Sequence, residues 1–535
     1  DIATPFGSSL DPPVQKSPKG VAMSASKKTI VLVGGGHAHA QVIKAYNWAA
    51  LPPSVQVVLV DPLRRASYSG MVPGCVAGQY TPEDTQIDLE TLAQWAGTRF
   101  LNASVVGIDA AARELRLGPS PYTSSGGADI PETLHYDVVS FDIGCRTAHT
   151  DVPGVQEFAI ATRPIHLLTQ RISEKIATFE GDAVKLVVCA AGAAGIELAM
   201  TAAARIRKAG KQAVVTLVST TEVLLPGDPQ AVQEAMAGLV ESRGIRVVPK
   251  AHVVRVTASE VLLDSGDVIP HDLVIWPAGA ASHPVAARLG EAGVAITKKG
   301  WIRVGSSLQS ISHEDIFAAG DCCEFEHLLR QPGKAGVYAV RTGPILIKNL
   351  LGHLQGAAPE EYHPQEEFLR LFNCGDGHGL GIRFGVPMVG PWVWQWKDFI
   401  DRWFMDLFKE ENLPDLRAGK ADEGQFDAAL RSSVSSAPES AAEAAAVLLS
   451  ESAQLPAAKD IINRMDRDEA YRTAVQRAVA ERWAARPRAP PALGDKPPPG
   501  RQLSGASTSC ESKASGVADP ESRGATRPLA PASAY

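Results

Sequence analysis

The residues Thr29-Ile30-Val31-Leu32-Val33 form an apolar run rich in β-branched side chains that stops at Gly34-Gly35-Gly36 and passes into the helix-compatible stretch His37-Ala38-His39-Ala40-Gln41-Val42-Ile43. A strand that is apolar at nearly every position needs cover on both faces, as a central parallel strand has. A second apolar run, Val55 to Val60, closes on Asp61. Strand, glycine turn, helix, strand and acid together make a βαβ unit whose turn presents backbone amides to a phosphate. The same order returns at Lys185 to Val188, Gly192 and Gly195, the helical stretch Glu197 to Arg207, and Val214 to Val218. Two such units predict an α/β chain with two nucleotide sites, that is, two Rossmann-like dinucleotide-binding domains.

The two turns are not identical. Gly34 and Gly36 match the first two positions of G-x-G-x-x-G and His39 holds the third, whereas the second turn has Ala190 in the first position and keeps Gly192 and Gly195. The absent side chains permit a tight turn and a close approach of a pyrophosphate to the helix N-terminus. Asp61 is placed to accept hydrogen bonds from ribose hydroxyls. At the tip of the second unit stands Val218-Ser219-Thr220-Thr221, with no acid and no arginine to claim a 2′-phosphate, so NADH and NADPH both stay open.

Composition removes other classes. The 535 residues carry 52 basic and 59 acidic side chains, a net charge of −7, so no whole-chain field attracts nucleic acid. Seven cysteines without a C-x-x-C pair indicate neither a disulfide framework nor a zinc module. His37 and His39 have no carboxylate or cysteine at metal-ligand spacing, so no metal site is expected. The most apolar stretch, Leu186 to Ile206, contains Glu197 and Arg205 and falls short of a membrane span. The compartment is left open.

Composition along the chain suggests a flexible N-terminal tail over 1–27 and a low-complexity, largely disordered tail over 411–535, rich in Ala, Ser, Pro and Glu. Within that tail Ala441 to Leu449 and Ala458 to Trp483 have helix-forming composition, with no readable partner. Between the tails the expected order is a first dinucleotide-domain segment (28–165), an inserted second dinucleotide domain (166–284), the return of the first domain (285–345) and a C-terminal interface region (346–410).

The assignment of FAD follows from a resemblance. Phe317-Ala318-Ala319-Gly320-Asp321 is similar to the second flavin motif of the two-dinucleotide FAD/NAD(P)H oxidoreductase superfamily, the pyridine nucleotide-disulfide oxidoreductase fold. Asp142-Ile143-Gly144 and Pro277-Ala278-Gly279 resemble its two crossovers between domains. Within that superfamily Val33 to His39, Tyr68 to Gly74, Lys334 to Arg341 and Lys397 to Met405 resemble the type II NADH dehydrogenase-like flavoprotein module found fused to selenide, water dikinase. The resemblance covers roughly residues 28 to 410. Nothing like the cysteine- and glycine-rich loop of the kinase occurs after Glu410, so selenophosphate synthesis is not expected of this chain.

The resemblance implies that FAD and NAD(P)H are held by Gly34, Gly36, His37, Asp61, Ser69, Gly70, Met71, Val105, Gly144, Gly192, Gly195, Gly279, Gly320, Asp321, Ala335 and Gly336. It implies that Glu197 contacts nicotinamide; the alternative is an exposed first-turn acid. A helix beginning after Pro332-Gly333 would turn its positive end and the Ala335 and Gly336 amides toward a reduced flavin. Lys334 is placed to add to that charge, or to be a solvated surface lysine. Cys75 has no partner at C-x-x-x-x-C spacing, so electrons are expected to pass from flavin to a quinone-like acceptor without a redox disulfide. In quinone-reducing relatives two glutamines flank the quinone path where Gly336 and Arg341 stand here. Two rivals stay open: sulfide or selenium chemistry through Cys145, Cys322 and Cys323, and a non-catalytic redox-sensing binding protein.

Trp392, Trp396, Phe399, Ile400, Trp403, Phe404, Leu407 and Phe408 recur at helical spacing, with Lys397, Asp398, Asp401, Arg402, Asp406 and Lys409 on the other face. This predicts an amphipathic helix over 392–408 that docks on a membrane interface, on its own domain or on a second copy.

Overall fold

The computed structural model describes residues 27–45, 51, 54–122, 130–413, 438–450, 453 and 455–485. The tails expected over 1–27 and beyond 485 lie, but for Lys27, outside the described residues.

The first sheet has seven strands in the order Ile316–Ala318, Val138–Phe141, Lys28–Val33, Val55–Asp61, Arg99–Asp109, Glu114–Pro119 and Thr133–His135. Its first five strands are parallel, and Ile30, Val31 and Leu32 at its centre are fully buried, as strands covered on both faces require. Helix α1 (His37–Ala45) leaves the glycine turn and lies against one face, and helix α2 (Val72–Ala77) follows the Tyr68-to-Met71 turn. The sequence segment that returns late in the chain, Ile316–Ala318, completes this sheet beside Val138–Phe141.

The second sheet is parallel throughout, in the order Ile160–Ala161, Leu273–Trp276, Ala183–Cys189, Gln212–Val218 and Ile245–Val248. Helix α3 (Ala193–Lys208) springs from its glycine turn. Ile160–Ala161, which sequence composition placed with the first domain, is an edge strand here. The two crossovers run side by side: Ala280 and Ala281 pair antiparallel with Thr147 and Arg146.

Helix α4 (Gly336–Gln355) contains Pro344 and packs against α1. Gly343 makes the approach possible, because a Cβ there would come within 2.7 Å of Gln41 Cβ. A three-stranded antiparallel sheet (Arg370–Asn373, Gly379–Arg383, Val386–Gly390) leads into helix α5 (Pro391–Asp406), which starts with proline in its first turn, where no helical N–H bond is lost.

The helices expected in the tail are present as α6 (Ala441–Leu448), α7 (Leu455–Arg467) and α8 (Glu469–Ala484). Asp468 divides the longer expected stretch by accepting the Tyr471 N–H at 2.9 Å as an N-cap. The reading of 411–535 as one largely disordered tail is thereby corrected for residues 441–484. Their partner is the aromatic helix: Trp392, Val393 and Trp396 are buried with Ala444, Leu448, Ile461, Met465 and Val475 in one core. No described helix is long and apolar enough to cross a membrane. Of the three docking surfaces expected for α5, its own chain covers Trp392, Trp396, Phe404 and Phe408; Phe399 stays half exposed, with the Lys459 ammonium over its ring. Two of the charged residues on the other face, Lys397 and Asp401, are buried, at 6% and 4% exposed.

Candidate functional site

The first turn is built around two acids. Gly34 has φ +89°, a conformation that favours glycine, and a Cβ on it would overlap the Asp142 backbone. Asp61 accepts the Gly35 N–H at 2.6 Å and the Leu63 N–H at 2.7 Å, so its carboxylate is locked at the end of the strand. Burial raises its pKa to about 6. Asn102 donates to the Asp61 carbonyl at 3.1 Å, and three residues along the same strand Val105 is half-buried at a register shift.

His39 takes the third glycine position. It is fully buried, with Nδ1 2.6 Å from the Gly34 carbonyl and Nε2 2.8 Å from Ser140 Oγ. Burial lowers its pKa to about 4, so the ring is neutral. The carbonyl only accepts, so Nδ1 carries the proton and Nε2 accepts from the Ser140 hydroxyl. Asp142, seen in the sequence only as part of a crossover, accepts the Ala38 and His39 N–H groups at 2.8 and 3.1 Å.

From this turn a line of sequence-expected residues runs toward α4. The His37 ring lies 5.4 Å from the Tyr68 ring and 6.2 Å from the Phe404 ring, and its Nε2 is buried with no protein partner. Ser69, Gly70 and Met71 follow Tyr68, and Met71 is buried. Gly144 has φ +65°, and no atom lies within 4 Å of a Cβ placed on it; at Gly336 the nearest atom is Ser69 Oγ at 3.6 Å. Gly320 has φ +69°, and a Cβ there would come 2.6 Å from Asp142 Oδ1. Asp321 accepts from Arg163 Nη2 and from Cys145 Sγ, each at 3.2 Å. Ala335 is the N-cap of α4 and Gly336 its first residue, so the helix's positive end starts beside Ser69. A buried polar atom without a partner, glycines opening on free space and a helix N-terminus fit a long polar ligand with an aromatic head, as FAD is.

Lys334 is not the solvated surface lysine that was its alternative reading. Its ammonium donates to the Cys323 carbonyl at 2.7 Å and lies 4.2 Å from the centre of the Trp301 ring, so it is not a free charge.

Glu197 is not the exposed first-turn acid that was its alternative reading. It lies in the first turns of α3, and its carboxylate accepts the Asn373 N–H at 2.7 Å. Burial raises its pKa to about 7, opposed by the charge of Lys397. Lys397 donates to Asp401 Oδ2 and to the Gly70 carbonyl, each at 2.8 Å, and Tyr68 OH donates to Asp401 Oδ1 at 3.1 Å. Thus Tyr68 and the buried Lys397 are linked through the buried Asp401, and the Lys397 charge acts on Glu197 of the second domain. Sequence analysis missed Lys397 and Asp401 in this role. Their four-residue spacing suits an ion pair, but charged positions on an amphipathic helix read as a solvated face.

The second turn carries strain where the first carries glycine. Ala190 has φ +148°. A Cβ on Gly195 would overlap the Ala190 carbonyl, so that glycine is required, while Gly192 opens on free space. Ser219, at the tip of the following strand, is buried and turned onto Thr221. Gly279 has φ +71° and accepts the Ala148 N–H, tying the crossovers together.

The thiols do not suit sulfur chemistry. Cys145, Cys322 and Cys323 are all buried, and burial raises Cys145 and Cys323 to about 12 and pushes Cys322 up as well. A thiol must ionise to act as a nucleophile. Among the described residues no cluster of His, Cys, Asp and Glu is arranged to hold a metal.

Two sheets with parallel cores, each followed by a glycine turn and a helix and joined by paired crossovers, have the architecture of a two-dinucleotide-domain oxidoreductase. The profile of the pyridine nucleotide-disulphide oxidoreductase family matches residues 28–344, and the chain belongs to that family. It is 24% identical over 380 residues to the demethylphylloquinone reductase of Synechocystis sp., covering 68% of this chain and 90% of that one. It is 23% identical over 407 residues to the type II NADH:quinone oxidoreductase of Staphylococcus haemolyticus, covering 71% and 95%. Among solved structures, the Aquifex aeolicus sulfide:quinone oxidoreductase matches with a TM-score of 0.60 at 17% identity, over 73% of this chain and 94% of that one. NDH2 from Plasmodium falciparum in complex with NADH matches with a TM-score of 0.58 at 12% identity, over 73% and 99%.

Proposed function

We propose that this chain is an FAD-dependent NAD(P)H:quinone oxidoreductase that works without a redox disulfide. The observation that carries the reading is the first turn itself, with Asp61 locked on Gly35, the buried unpartnered His37 Nε2 and Gly336 at the N-terminus of α4 beside Ser69, in a chain that has a second such turn and no C-x-x-x-x-C pair. The relatives named for demethylphylloquinone and for NADH and quinone support quinone as the acceptor.

FAD supplies the redox step, taking hydride equivalents from the nicotinamide and giving electrons to the quinone. The chain's own residues do the rest. Asp61, fixed by Gly35 and Leu63, holds the ribose; Asp321, with Arg163 and Cys145, holds the ribityl side; the α4 N-terminus at Ala335 and Gly336 favours negative charge on the flavin. Gly192 and Gly195 hold the NAD(P)H diphosphate. Tyr68, Asp401, Lys397 and Glu197 keep a proton available in a site screened from water, with Glu197 raised to about 7 so that it gives and takes that proton near neutrality. The expected division into an FAD domain (28–165 and 285–345) with an NAD(P)H domain inserted (166–284) belongs to this reading. Docking of the half-exposed Phe399 edge of α5 on a membrane is the finer proposal for how a lipid-soluble quinone is met.

The test is anaerobic stopped-flow absorbance. NADH or NADPH should bleach the flavin bands within seconds, and a soluble quinone should restore them. Bound flavin that neither nucleotide bleaches would overturn the assignment.

A further inference from the structure

We propose that Asp142 couples FAD binding to proton uptake: the cofactor binds the first turn with the Asp142 carboxyl protonated. This rests on the reading of that turn as the FAD site.

The amides at the start of α1 are the donors a phosphate-binding turn offers. Two of them, Ala38 and His39, are already engaged by one oxygen of Asp142, at 2.8 and 3.1 Å. The carboxyl is 3% exposed. It fills the space a Cβ at Gly36 would occupy and lies against Gly320, so two motif glycines make room for this side chain. The sequence motif gives those glycines to the ligand; the structure gives part of the same space to an acid of the chain.

An ionised carboxylate there is a built-in anion in the cradle of a dianionic diphosphate. Two like charges in a buried space do not both stay ionised. The diphosphate is a strong acid and keeps its charge near neutrality, so the carboxyl must yield. A protonated carboxyl still accepts the two amides through one oxygen and donates from the other, which turns repulsion of a phosphate oxygen into a hydrogen bond.

The surroundings agree. Asp61 acts on Asp142 from the next strand but one, Asp321 from beyond Gly320, and Cys322 and Cys323 from the same turn. On α1 itself, His39 is neutral and His37 is lowered by burial. The nearby cations are engaged elsewhere, Arg163 with Asp321 and Lys334 with the Cys323 carbonyl. Burial, aided by Asp321 and Asp61 and opposed by the two amides, raises Asp142 to about 7, so the proton is exchangeable at physiological pH.

The test uses the full chain stripped of flavin and titrated with FAD by fluorescence quenching between about pH 6 and about pH 8.5, with calorimetry in two buffers of different ionisation enthalpy to count protons. For the wild type, Kd should rise toward about tenfold per pH unit above about pH 7, with close to one proton taken up on binding. Asp142→Asn should bind FAD with a flat profile, no proton uptake, and higher affinity than wild type at the alkaline end. Should Asp142→Asn misfold, Asp142→Ser replaces it, and the wild-type proton count decides on its own. FAD binding by the wild type with a flat pH profile and no proton uptake, or an unchanged slope in a folded variant, would overturn the proposal while leaving the FAD site intact. Failure of wild type and variant to bind FAD at any pH would overturn the functional reading as well.

Discussion

At the first nucleotide turn the left-handed backbone position falls on Gly34, with φ +89°, and at the second on Ala190, with φ +148°. The third position reverses the exchange: the first turn has His39, whose ring hydrogen-bonds the Gly34 carbonyl, and the second has Gly195, whose missing Cβ lets the Ala190 carbonyl come close. The same carbonyl is therefore met by a donor in one turn and by bare backbone in the other. The first turn is polar and crowded with acids, Asp61 and Asp142, and suits a cofactor held for many turnovers. The second is apolar, strained and open at Gly192, and suits a nucleotide that must leave after each one. The glycine motif alone does not separate these cases; the residues that replace glycine do.

The strongest test of this contrast is at the joint between the turns. Lys397→Met leaves Asp401 buried without its cation, so urea unfolding should show a loss of about 3–5 kcal/mol, while Lys397→Met with Asp401→Leu should recover a large part of it. Next, Gly195→Ala drives a Cβ into the Ala190 carbonyl. A distortion of about 2 kcal/mol confined to the second turn would slow flavin bleaching by NAD(P)H about 30-fold with flavin content unchanged. Loss of flavin in that variant would show that the turns are not independent.

Glu197 gives a pH signature of intermediate size. Its pKa is raised on folding from 4.5 to about 7, so the folded chain holds a proton that the unfolded chain releases. Its contribution to stability is present in full below about pH 4.5, falls as pH rises toward about 7, and is gone above that. Glu197→Gln should flatten this part of the urea-midpoint profile by about 2 kcal/mol. Ala190→Gly has the smallest expected effect. Relief of the positive φ, about 1 kcal/mol, is partly offset by the added freedom of the unfolded chain, so thermal unfolding should shift upward by about 0.5 kcal/mol.

The two sheets were legible because fully buried parallel strands leave unbroken apolar runs, and the turns at Gly34 and Asp61 because their backbone geometry is set within a few residues. What could not be read depends on distant contacts. Glu197 meets Asn373 across 176 positions and Lys397 meets Gly70 across 327, and no local period encodes such pairs. Charged residues on α5 followed the pattern of a solvated face, yet burial with an ion-pair partner removes the penalty that makes that pattern dependable. Asp142 was hidden for a different reason: its crossover position drew attention to backbone, whereas its side chain caps α1.

The bond from Lys397 to the Gly70 carbonyl also orders events during synthesis. A ribosome delivers Gly70 hundreds of residues before Lys397, so the nascent chain exposes both sheets and the first turn while the side wall of α5 has yet to be made. On the function proposed above, a cofactor captured at that stage would lack this wall. Truncation before Trp392 would therefore release a chain with a complete flavin motif and poor flavin retention.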